Sequence, residues 1–133
     1  MRLSQTVFPR LLCVVPALLC VLVTSGCQRT ARDLPLDKAA ARQSLTAFLD
    51  CWVEGKPVET LQSRTPAITG RDSDWDNGRK LVSYTIGAET DDGTNMHITA
   101  KLVLGSEGGE EPPLDVTYIV GTSPVITIFR DEL

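Results

Sequence analysis

The sequence predicts an α+β domain: one long N-terminal helix, plus a short second helix, packed on an antiparallel sheet of about four strands. Three observations carry this reading. Between Asp37 and Gly55 the apolar residues Ala41, Leu45, Phe48 and Trp52 recur at i, i+4, i+7 and i+11, one helical stripe. From Arg79 onward the period changes to alternation, clearest at Met96, Ile98, Ala100, Leu102 and Leu104. Between two alternating segments stands Asp92-Gly93, the composition of a tight hairpin turn. A helix followed by strands on short turns implies a meander whose apolar face covers the helix.

Each element has its own signals. Asp37, preceded by Leu36, suits the N-cap of the first helix, and Gly55 suits its C-terminal stop. Leu49 widens the stripe, while Arg42, Thr46, Asp50 and Glu54 face elsewhere. The stretch KPVETLQSR starts the short second helix, with Pro57 at its first position. It gives way to TPAITGRDSDWDNG, whose Gly, Pro, Asp and Asn content reads as a loop. Val82, Tyr84 and Ile86 mark one face of the first strand. In the second, Asn95, His97, Thr99 and Lys101 lie opposite the apolar set. GSEGGEEPP is an acidic loop; Leu114, Val116, Tyr118 and Val120 form the third apolar face, and GTSP turns the chain into VITIFR.

The chain has 133 residues and a formal charge of −4, the size of a single domain. Arg2 and Arg10 are the only charged residues before Cys27. Without them, 11 basic residues face 17 acidic ones, so the remainder sits near −6. That balance argues against nucleic acid, which needs clustered Lys and Arg to displace counterions. It also disfavours a polybasic grip on anionic lipid.

The first residues read as an address. MRLSQTVFPR is positive, LLCVVPALLCVLV is apolar, and Thr24-Ser25-Gly26 is small, the order of a secretory signal. The apolar run is shorter than the roughly 20 residues of a spanning helix and contains Pro16. Ser25-Gly26-Cys27 resembles the lipobox of bacterial lipoproteins, although Thr24 stands where that family has an aliphatic residue. The resemblance implies that residues 1–26 are a signal peptide, that Cys27 is acylated as the first mature residue, and that the protein is a membrane-anchored lipoprotein of the cell envelope. Residues 27–36 then form a lipidated tether and residues 37–133 the domain. Loss of Cys13 and Cys20 with the signal leaves Cys27 and Cys51, a thin disulfide framework. A competing address is Arg130 to Leu133, RDEL, which is similar to the retrieval tail of endoplasmic reticulum proteins. Against it stands the plainer reading of a strand end followed by a charged terminus. No Asn-X-Ser/Thr acceptor occurs in the chain.

Helix-then-strands order over Asp37 to Arg130 resembles the cystatin-like group, including nuclear transport factor 2-like domains. The resemblance implies a helix wrapped by a curved antiparallel sheet. Such folds host enzymes, binders and adaptors alike, so function does not transfer with it.

The constellations for chemistry are sparse. Asp72, Asp74 and Asp76 alternate as the first ligands of an EF-hand do, which makes them the metal candidate. The glycine comes one residue late, at Gly78, and Ser83 stands where the twelfth-position Glu belongs, so the favoured reading is an Asp-rich solvated turn. His97 is the sole imidazole available as a catalytic base and lies on the polar side of its strand. Cys51, beside Trp52 and between Asp50 and Glu54, reads as a half-buried structural thiol. Tyr84 and Tyr118 would place hydroxyls inside the fold, but no Asp or Glu shares their inward registers, and Asp115 alternates outward. Neither a phosphate loop, a paired-cysteine zinc motif nor a repeat is present. The sequence therefore predicts a lipid-anchored, non-catalytic binding or adaptor module without a cofactor. The alternative is a small-molecule-binding or catalytic domain with a cavity under its sheet. The acidic loop Glu107 to Glu111 is a further contact surface to consider.

Overall fold

The computed structural model describes residues 34–133. The signal segment, Cys27 and most of the tether lie outside the described residues. Helix α1 runs Lys38–Val53 and is followed by a 3-10 helix, Val58–Ser63. Then come strand β1 (Ile68–Arg71), the one-turn helix α2 (Ser73–Asp76), and strands β2 (Lys80–Asp91) and β3 (Asn95–Ser106). Strands β4 (Gly109–Glu110), β5 (Leu114–Gly121) and β6 (Ile126–Arg130) complete the chain. No helix among the described residues is long and apolar enough to cross a membrane.

The expected fold class is overturned. In place of about four antiparallel strands there is one mixed sheet of six, in the order β1-β6-β5-β3-β2, with β4 paired to β3. The helix is also not long: α1 has 16 residues, about 24 Å at about 1.5 Å per residue. A cystatin-like helix wrapped by a simple meander does not describe this molecule. The decisive addition is β1, which pairs in parallel with β6, Ile68 opposite Ile126 and Gly70 opposite Ile128. Four residues, one of them glycine, carry no alternation long enough to register as a strand. A parallel partner far along the chain leaves no local signal either.

Local chemistry explains α1. The Asp37 side chain accepts from the Ala40 N–H, filling one of the donors that a helix start leaves free. At the other end Gly55, at φ 67°, takes the left-handed conformation that lets the chain leave the helix. Ala41, Leu45, Phe48, Leu49 and Trp52 are buried against the sheet. Facing them are Met96, Ile98, Ala100, Leu102 and Leu104 of β3, then Val116, Tyr118 and Val120 of β5 and Ile126 and Ile128 of β6. Leu114, expected on that apolar face, is exposed.

Strand β2 reaches the helix only through two irregularities. Its register with β3 shifts between Leu81 and Ser83, and again between Ile86 and Glu89. An extra residue in one strand flips every later side chain to the other face. The first shift puts Leu81, opposite Leu104, on the same side as Tyr84, opposite Leu102. Leu81 thus takes the inward place expected of Val82. The second turns Glu89 and Asp91 toward α1, where Arg42 and Lys38 pair with them.

Gly70 permits the closest approach in the core. A Cβ there would lie 2.5 Å from Phe48 Cε2 and 3.1 Å from the Ile128 carbonyl oxygen. Gly70→Ala should therefore destabilise the fold by about 1–3 kcal/mol through overpacking, measured by urea denaturation. Adding Phe48→Leu should recover part of that loss; purely additive destabilisation would show that the clash is not the cause.

Candidate functional site

The aspartate-rich stretch after β1 is where the polar groups gather. Asp72 caps α2: its Oδ1 accepts from the N–H groups of Asp74 at 2.8 Å and Trp75 at 3.2 Å. Its Oδ2 accepts from the Tyr118 hydroxyl, which rises from the middle of the sheet, at 2.7 Å. Arg130, closing β6, places Nη1 2.5 Å from Asp74 Oδ2 and 3.6 Å from Asp72 Oδ1. Arg79 binds the other Asp74 oxygen at 3.1 Å and also pairs with Glu111. Asp76 is held separately by Arg71 at 2.8 Å.

These bonds decide what the cluster can do. The metal candidate Asp72, Asp74 and Asp76 does not form a cage, since the carboxylates are directed at backbone N–H groups, a phenol and arginines. Among the described residues no group of three His, Cys, Asp or Glu side chains is arranged to hold an ion. Nor is the segment a solvated turn, because Asp72 is 1% exposed and Trp75 packs inward. The Trp75 ring stacks on Trp52 with centroids 5.4 Å apart and meets Phe48 edge-on at 5.1 Å. The Trp52 Nε1–H donates to the Arg79 carbonyl at 2.8 Å.

An acid does stand beside an inward tyrosine after all, supplied by the loop rather than by a strand register. Burial, reinforced by the Asp72 carboxylate, pushes the Tyr118 phenol far up, so it keeps its proton and acts as a donor. Burial pushes Asp74 up as well, but the bonds from Arg130 and Arg79 outweigh it and hold the carboxyl below its usual range. Tyr84 is likewise raised by burial and by its bond to Asp50 Oδ1 at 2.6 Å. The cluster is an internal lock whose hydrogen-bonding capacity is already spent.

Cavities of about 380 Å³ beside Trp75 and Arg79 and about 230 Å³ beside Asp76 and Arg130 border this cluster, and the most extended open space lies between α1 and the segment running from the 3-10 helix into β1. Three adjoining cavities line up there. The largest, about 440 Å³, is polar, with Asp50, Thr60 and Arg64 in its wall. Gln43, Ala47 and Arg64 also line the next, a neck of about 150 Å³. Ala40, Pro66 and Ile126 lead on into the third, about 380 Å³, which is bounded by Ala67, Pro124 and Val125. The small residues Ala40, Ser44, Ala47 and Cys51 form the floor of the helix wall, between the longer Gln43, Asp50 and Glu54.

The other singled-out residues are accounted for. His97 sits 3.1 Å from Asp92 at the β2–β3 hairpin, away from the groove. The Asp92 carboxyl is held low mainly by the Asn95 N–H, with help from His97 and Thr94. Cys51 is a free, buried thiol whose Sγ lies 3.7 Å from the Pro57 carbonyl oxygen, and burial raises it. The acidic loop forms the short β4, and Glu111 is taken by Arg79. Asp115 points outward, 4.0 Å from Lys101. Cys27 lies outside the described residues. No family model matches the chain, and no curated protein or solved structure matches it.

Two measurements test the lock. Tyr118→Phe leaves a buried carboxylate oxygen without its donor and should cost about 1–3 kcal/mol in urea denaturation. Since the Asp74 carboxyl is depressed in the folded state, its stabilisation is present above the ordinary carboxylate range, near pH 4, and is lost as pH falls below it. Asp74→Asn should flatten that acid limb of the stability curve. An unchanged slope would show that the Arg130 and Arg79 contacts contribute nothing.

Proposed function

We propose that this is an exported domain held at a bacterial envelope membrane by acylation of Cys27, acting there as a binding module rather than as a catalyst. Ser25-Gly26-Cys27, after a positive and then an apolar stretch, supports the anchor. Two acyl chains suffice for stable attachment where one is marginal. The tether from Cys27 to Asp37 can extend about 35 Å at most, at about 3.5 Å per residue. It enters the fold beside the β5–β6 turn, where the Asp37 N–H donates to Thr122 Oγ1 at 3.2 Å.

The observation that carries the binding reading is the groove beside α1. It is open, mixed in polarity and lined in part by Arg64, which has no carboxylate partner among the described residues, whereas the internal acids and phenols already bond one another. Pockets that combine apolar walls with a few convergent polar groups are the usual setting for ligands. Against an endoplasmic-reticulum retrieval tail speaks Arg130, whose guanidinium is drawn into the fold by Asp74. A strand end is the better description of that residue.

Intact and N-terminal peptide mass spectrometry on protein from its native membranes tests the anchor. The expected first residue is Cys27 bearing acyl groups, and Cys27→Ala should lose the lipid and leave the membrane fraction. A wild-type chain that starts near residue 27 without a lipid and fractionates as soluble would refute the anchor.

A further inference from the structure

We propose that the groove beside α1 is a site for a single-chain anionic amphiphile of the medium-chain fatty carboxylate class. The inference rests on the reading of the domain as a binding module and names its ligand. It begins with charge. Among the described residues Arg42, Arg71, Arg79 and Arg130 all hold carboxylates, while Arg64 holds none. Arg64 lines both the polar cavity and the neck, so an anion seated between them meets an uncompensated guanidinium.

Ser44 gives a second, independent pointer. It is 6% exposed and lines the same neck, which puts a hydroxyl donor in the wall beside Arg64. The carboxylates at the far end of the groove do not compete for Arg64. Glu54 is paired with Lys56, and Asp50 receives the Tyr84 hydroxyl. Arg64 and Ser44 therefore form a head site for a carboxylate.

Beyond the neck the lining becomes mostly apolar, with Ala40, Pro66, Ala67, Pro124, Val125 and Ile126 beside the polar Asp37, Thr69 and Thr122. Val125 is 60% exposed there, an apolar side chain with nothing covering it. From Ala47 to Ala40 the groove follows about 10 Å of helix axis at about 1.5 Å per residue, the reach of a medium-length chain. Its apolar mouth opens at the end of the domain where the tether enters. An anchored protein would hold that mouth within about 35 Å of a membrane, where amphiphiles are most concentrated. A peptide would need donors and acceptors along the tail region for its own backbone, and that lining offers few.

The test uses the full chain in its native membranes with a diazirine-bearing ten-carbon fatty carboxylate, photolysed and mapped by peptide mass spectrometry. Saturable labelling is expected on the segments 40–47 and 64–68. Decanoate should compete at least about tenfold better than decanol, and Arg64→Gln should erase that preference. Among carboxylate competitors, each added methylene should tighten binding about fourfold until the tail overruns the groove. Ala47→Phe, which fills the neck, should abolish labelling, with unchanged circular dichroism showing that the fold survives. Ser44→Ala should weaken labelling without that steric effect. Labelling spread evenly over the surface, equal competition by decanol and decanoate, or displacement only by a short peptide with a free carboxylate would each overturn the proposal. Intact mass of the same samples reads Cys27 separately. An unlipidated chain that labels in the groove removes the anchor alone, and a lipidated chain that does not label removes the amphiphile alone.

Discussion

The hydrogen bond from the Tyr118 hydroxyl to Asp72 joins the centre of the sheet to the aspartate-rich loop beneath it, and much of the fold hangs on that join. Desolvating a carboxylate is expensive, and the cost is offset only when its lone pairs are filled. Asp72 fills them from two directions, with two backbone N–H groups of α2 on one oxygen and the phenol on the other. Because Asp72 directly follows β1, fixing it also fixes where β1 ends against β6. The same turn then delivers Trp75 to Trp52 and Phe48, and Asp74 to Arg130 and Arg79. One constraint thus orders a strand, a turn of helix and an ion-pair network.

The sheet has a helix on one face only, and this asymmetry explains where a site can form. The large residues of α1 are committed to β3, β5 and β6, and the ion pairs of Lys38 and Arg42 hold one flank of the helix over β2. On the opposite flank α1 faces the 3-10 helix and the approach to β1, short segments with few side chains long enough to fill the space between. Internal polar groups satisfy one another under the sheet, while on this flank Arg64 has no carboxylate partner among the described residues. A buried lock and an open groove are complementary outcomes of the same packing.

Much of the helix and hairpin was legible because their signals are local. Asp37, Gly55 and the stripe from Ala41 to Trp52 each state a backbone requirement within a few residues, as do Asp92-Gly93 and the alternation of β3. The sheet order was not legible for the opposite reason. The parallel pairing of Ile68–Arg71 with Ile126–Arg130 depends on partners distant in sequence, and Gly70 disguises a strand as a turn. The bulges of β2 were hidden because alternation assumes an uninterrupted period of two. Asp72, Asp74 and Asp76 attracted notice for the right residue type and the wrong purpose, since their spacing suits an ion while their neighbours Arg79 and Arg130 suit ion pairs.

Only the helix side of the groove has a trace in the sequence. Ala40, Ser44, Ala47 and Cys51 repeat with the spacing of Ala41, Leu45, Phe48 and Trp52, offset by one residue and therefore turned by about 100° around the helix. A stripe of large apolar residues announces a core. A stripe of small, partly polar residues beside it announces a face against which another segment approaches without filling the gap. Sequence period alone could not show that Arg64 would stand unpaired at the neck, because that depends on where every carboxylate finally points. Charge left over after folding, rather than charge present in the chain, is what singles out this face.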